Sequence, residues 1–133
     1  MANNSWDAAI KQLYPADNGT KDFAETVARG KPFDVVAAIE IGRNLREFVT
    51  SDLLTVTVTN RTRMTVVAQV TAPRTLAPAS AALAEDLRVD INGGWDAKAG
   101  EGDVLEAVAT YKTVAGVHTD YSSATSQLFT VVA

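Results

Sequence analysis

The stretch Leu54-Thr55-Val56-Thr57-Val58-Thr59-Asn60-Arg61-Thr62-Arg63-Met64-Thr65-Val66-Val67-Ala68-Gln69-Val70 decides the class of fold. Its apolar residues recur every second position, and a two-residue period is the period of a strand, whose successive side chains point to opposite faces. Leu54, Val56 and Val58 therefore share one face, and Thr55, Thr57 and Thr59 share the other. Asn60-Arg61-Thr62 has the polar, turn-forming character of a reversal, after which Met64, Val66, Ala68 and Val70 resume the alternation. Two antiparallel strands follow from this pattern, with an outer face that is hydroxyl-rich and almost uncharged.

The same beat runs upstream. Phe33, Val35, Ala37, Ile39 and Ile41 alternate with Asp34, Val36, Ala38 and Glu40, which makes a second strand with one core face. Between the two, Gly42 to Val49 fits either a helical turn carrying Leu45, Phe48 and Val49 or a bend into the next strand. Downstream, Ala72 to Glu85 reads as a long connection, with Pro73 and Pro78, in which Ser80 caps one helical turn over Ala81 to Leu83. Leu87, Val89 and Ile91 form a short strand, and Trp95 to Asp103 form a glycine-rich loop. Val104 to Val114 form a long strand and Ser126 to Val132 a last one, for six strands in all.

The first thirty residues read differently. From Ser5, an N-cap residue, Trp6, Ala9, Ile10 and Leu13 recur at helical spacing until Pro15. Thr20 opens a second short segment with Phe23, Ala24 and Val27 on one stripe, closed by Gly30 and Pro32. Helices this short need a surface to rest on. The expected architecture is one mainly β domain over 1–133: a helical segment over 1–32 and an antiparallel β body over 33–133, built as a sandwich or curved sheet under two short helices. An α+β cone with an internal pocket is the alternative layout. The order of strand, glycine-rich loop and long strand after Leu87 is similar in outline to the end of an immunoglobulin-like sandwich. That likeness is one of pattern alone, because the Cys pair, the strand Trp and the tyrosine corner are missing.

Composition bounds the function. At 133 residues with 47% hydrophobic and 21% charged residues, the chain has the size and balance of one globular domain. The absence of Cys removes disulfides, thiolate nucleophiles and Cys-ligated metals together. A net charge of −4 has the wrong sign for a general footprint on nucleic acid, although Arg61 and Arg63 at the hairpin turn are candidates for interaction. No apolar run approaches the ~20 residues of a membrane span, and no secretion signal opens the chain, so an intracellular or particle-borne address is the expectation.

Motifs for phosphate cradling and nucleophile elbows are absent. His118 is the single histidine, and with Asp120, Tyr111 and Tyr121 it makes the one candidate acid-base set for a small ligand. Asp90, Asp96, Glu101 and Asp103 surround a glycine-rich loop and are the candidates for a hard cation, at spacings that match no EF-hand. Trp95, between Gly94 and Asp96, is either a lid on the core or an interface anchor. No cofactor is implied. The expected role is a non-enzymatic binding or assembly module working through its sheet surfaces, such as a subunit of a viral or envelope particle, with a protein or its own copies as partner. The alternative is a small-ligand binder or cofactor-free enzyme of the cone type.

Overall fold

The computed structural model describes residues 6–133. In chain order come β1 (Ala8–Ala16), β2 (Thr26–Ala28), β3 (Phe33–Ile41), α1 (Arg43–Arg46), β4 (Ser51–Asn60), β5 (Thr65–Thr75), β6 (Leu83–Ile91), β7 (Val104–Ala115), β8 (His118–Thr125) and β9 (Phe129–Val132). They make two layers. A three-stranded sheet has the order β1-β3-β6, and a six-stranded sheet runs β2-β9-β7-β4-β5 with β8 also paired to β7. All pairings are antiparallel except β2 with β9.

The hairpin read from the sequence is present, with Leu54 opposite Ala72 and Val56 opposite Val70, but the alternation expected from Met64 to Val70 breaks at a bulge: Val58 faces Ala68 and Thr59 faces Val66, so the extra residue Val67 is buried while Val66 and Met64 are exposed. Its turn places Met64 at φ 58°, in the left-handed region that a residue with a Cβ rarely adopts. The core fills the space between the layers: Val35, Ile39 and Ile41 from the small sheet meet Leu54, Val56, Leu105 and Tyr111 from the large one, all fully buried. Phe33 joins them with edge-on contacts to Trp95 and Phe129 at 5.8 and 5.7 Å.

The two N-terminal helices are not formed. Ala8 to Ala16 is a strand, and the helical spacing there has a specific cause. Ile10 lies opposite Ile39 and Gln12 opposite Ala38, so Lys11 is an extra residue, and the bulge shifts the parity of the strand. Ile10 and Leu13 thus face the core although they are three residues apart, which on paper imitates a helix. Pro15 fits because the outer edge of β1 pairs with no strand. Ser5 lies outside the described residues. The second segment folds back by an isolated bridge between Phe23 and Ala16, and only Thr26 to Ala28 extend, alongside β9.

Helix is confined to the single turn α1 among the described residues, which resolves the ambiguity at Gly42 to Val49. The connection after Ala72 is shorter than expected: β5 runs on to Thr75, β6 starts at Leu83, and the helical turn over Ala81 to Leu83 is absent. Strand β8 went unforeseen because its polar, serine-rich sequence carries no apolar beat. Between β8 and β9 the chain kinks at the buried Ser126, whose Oγ accepts the Ala107 N–H at 2.9 Å in place of a ladder partner.

Candidate functional site

Strands β7 and β8 carry the four residues of the candidate acid-base set: Tyr111, Asp120 and His118 share the inward parity at separate places along the strands, and Tyr121 has the outward one. Tyr111 lies in the core, donating its hydroxyl to Asp52 Oδ2 at 2.6 Å. Asp120 faces β1 and accepts the Ala8 N–H at 2.9 Å, beside Ser122, which accepts the Ile10 N–H. These two side chains fasten β1 of the small sheet to β8 of the large one. Tyr121 is on the opposite, outer face, 67% exposed, with the Lys112 ammonium 6.0 Å above its ring. His118 is exposed at the start of β8, beside an open groove of about 390 Å³ lined with Trp6, Leu45, Phe48 and Ala115. Trp6 and Phe48 stack there at 6.0 Å.

The four acids considered for a cation also separate. Asp103 is saturated: its Oδ2 accepts from Gly100 N–H at 2.8 Å, Asn60 Nδ2 at 2.9 Å and Arg63 Nε at 2.9 Å. The Gly100 N–H first, then Asn60, hold its carboxyl below the usual range. Asp96 and Glu101 border an open surface depression beside Arg29, whereas Asp90 belongs to the small sheet. No group of three or more metal-ligating side chains converges among the described residues.

Arg61 and Arg63 sit in the β4–β5 turn and are both engaged with acids, Arg61 with Glu106 at 3.2 Å and Arg63 with Asp103. Trp95 folds back as a lid: it is buried, and its Nε1 donates to the Lys31 carbonyl at 2.9 Å. The close approach of that loop requires a glycine at Gly30, where a Cβ would stand 2.7 Å from Asp96 Cβ.

Two buried carboxylates carry polar structure that no motif in the sequence marks. Asp52, fully shielded, takes a two-pronged contact from Arg74, Nη2 to Oδ2 at 2.6 Å and Nε to Oδ1 at 3.0 Å, and Arg74 Nη1 reaches Glu85 at 2.7 Å. The chain Tyr111–Asp52–Arg74–Glu85 thereby ties β7, β4 and β5 to β6 of the other sheet. Burial first, and the bond to Asp52, push the Tyr111 hydroxyl far above its ordinary range, so it stays a donor. A signal was present in the sequence: Asp52 and Asn60 share the parity of Leu54, Val56 and Val58, and polar residues on a core parity need partners.

The other is Asp34, fully buried on the outer side of the small sheet. Its Oδ2 accepts the Gly19 N–H at 2.9 Å and faces Arg88 Nε at 3.3 Å. Its Oδ1 is buried without a hydrogen-bond partner among the described residues, and Asp90, its exposed cross-strand partner, stands on the same face of the sheet.

The widest regular surface lies on the outer side of the six-stranded sheet. Register places Thr71, Thr55, Thr110 and Ser123 in one row across β5, β4, β7 and β8, and Gln69, Thr57, Val108 and Thr125 in the next. Glu106 and Lys112 border these rows, which themselves hold no charge. Next to them β5 ends the sheet, paired only to β4. The chain matches no protein-family model, and no curated protein shows significant sequence similarity to it.

Proposed function

We propose that this protein is a non-enzymatic binding or assembly module that works through the outer face and free edge of its larger sheet, with a protein or further copies of itself as partner. One observation carries the reading: two uncharged rows, with hydroxyls at six of eight positions, span four strands on that face, whereas the candidate acid-base residues are dispersed to the core, the inter-sheet seam, the outer face and one end. A broad neutral face suits contact with another surface, because few charges must be stripped of water on association. Membership of a particle is one form that such assembly takes. No helix among the described residues is long and apolar enough to cross a membrane.

Native mass spectrometry of the protein taken from its own host, with and without Thr57→Lys and Thr110→Lys, tests this role. The expected result is a complex, with itself or with another protein, that the paired lysines dissolve while the fold persists by circular dichroism. A strict monomer without partner, or a complex indifferent to the lysines, overturns it.

A small-ligand reading is favoured by one feature, the Trp6–Phe48 stack beside His118. It predicts a bound small molecule in the same spectra, lost in His118→Ala.

A further inference from the structure

The edges of the two sheets are defended unequally. An exposed edge offers unpaired N–H and C=O groups to any passing strand, and natural sheets guard such edges with charge, Pro or brevity. Strand β6 carries Glu85, Asp86, Arg88 and Asp90 within nine residues. The outer edge of β1 is closed by the side chains of Asp120 and Ser122. Strand β2 has three residues. Strand β5 is guarded only toward its two ends, by the bulge at Val67 and by Pro73; between them Ala68 to Ala72 form an uncharged stretch that, among the described residues, pairs on one side only.

The core also reaches that edge. Ala68, Val70 and Ala72 face inward yet remain partly exposed, packed against the margin of the apolar cluster rather than sealed within it. A further strand alongside β5 would cover them and satisfy its outward backbone groups together.

The sequence of β5 names the occupant. An antiparallel pairing of two identical strands about a two-fold axis at Val70 sets Val70 against Val70, Ala68 against Ala72 and Gln69 against Thr71. Apolar residues then meet apolar residues on the core side, and amide meets hydroxyl on the outer side. Further along, Arg74 falls opposite Val66, so no like charges oppose each other. An isologous contact of this kind closes on itself as a dimer. We infer that β5 is a self-association edge, through which a second copy of this chain extends the six-stranded sheet by antiparallel β5–β5 pairing. The inference rests on the assembly role proposed above and narrows it to one edge and one partner.

Charge at Gln69 and Thr71 tests it, because both side chains lie on the outer face and touch no core residue. In the pairing register, Gln69→Lys with Thr71→Lys sets like charges opposite each other twice, whereas Gln69→Lys with Thr71→Glu sets opposite charges in the same places. Sedimentation velocity on the full chain should show a species of twice 14.1 kDa for the parent. The first double variant should dissociate at least about tenfold more readily, and the second should recover dimerisation. Thermal unfolding of each variant verifies that the monomer fold is kept; if both fall, sedimentation of the parent over a range of concentrations decides between dimer and monomer.

A parent that is monomeric at high concentration, or a dimer equally insensitive to both charge patterns, overturns the edge pairing. In the second case the broader assembly role survives, as it does if the parent is monomeric but bound to another protein. A monomer with no partner defeats both.

Discussion

Asp34 and Asp90 stand directly opposite each other on β3 and β6, the first fully buried and the second exposed. Two ionised carboxylates on facing positions repel, so a proton taken up at the pair is what makes their proximity favourable. Burial foremost, then Asp90, raise the Asp34 carboxyl above its ordinary value, against the lowering pull of Gly19 N–H and Arg88. The same carboxyl holds Gly19 and with it the turn at 17–20.

This pair makes stability fall as pH rises. A carboxyl whose folded-state value is raised binds its proton more tightly folded than unfolded. Its contribution is therefore complete below the unfolded value near 3.8 and lost as pH climbs through the raised folded value. Urea midpoints measured from pH 3.5 upward should show this decline superimposed on the gains from other carboxylates, and Asp90→Asn should flatten it. Identical profiles for the parent and Asp90→Asn would show that the carboxyls do not share a proton.

Removing Arg74 should be severe. Asp52 is fully shielded, and without the guanidinium its charge is left with Tyr111 as its donor. Loss of one partner from a buried ion pair costs about 3 kcal/mol, whereas Tyr111→Phe, which deletes one hydrogen bond to a charged group, should cost about 2 kcal/mol. Chemical denaturation of Arg74→Ala and Tyr111→Phe measures both. Arg74→Lys should lie between the parent and Arg74→Ala, because a point charge cannot reproduce the two-pronged contact. An Arg74→Ala protein as stable as the parent would remove the tie between the sheets.

Met64 should be a site where stability rises. It holds a left-handed backbone at φ 58° while its side chain is 73% exposed, so the residue contributes strain and little packing. Met64→Gly relieves the strain at some cost in chain entropy and should gain up to about 1 kcal/mol, with Met64→Asn close behind. Thermal unfolding reads the difference. A loss of more than about 1 kcal/mol would mean that the side chain packs more usefully than its exposure implies.

Legibility along the chain followed the apolar beat. Where core and solvent faces alternated without interruption, as in Leu54 to Asn60 and Val104 to Val114, the strands were readable because a two-residue period has one structural meaning; past the turn the bulge at Val67 broke the beat. Where a single extra residue shifted the parity, at Lys11, the same physics yielded a helical spacing from a strand. Strand β8 could not be read because its inward residues, Asp120 and Ser122, serve as hydrogen-bond acceptors for β1, and such a role leaves no hydrophobic trace. The candidate acid-base residues diverged in space for two reasons: Tyr121 faces outward because adjacent strand positions face opposite ways, and Tyr111, Asp120 and His118, though on the same inward parity, lie at successive places along β7 and β8.

What the amino-acid order determined by itself was the β character of the body, the central hairpin, the uncharged outer hydroxyls and the absence of thiol chemistry, because each follows from local composition or a local period. Tertiary structure alone decided that Asp34 stands opposite Asp90, that Arg74 bridges Asp52 to Glu85, and that the uncharged middle of β5 lies at the margin of its sheet. These depend on which strands become neighbours. Pairing between distant segments is settled by the burial of the whole core, and no window of residues contains that information.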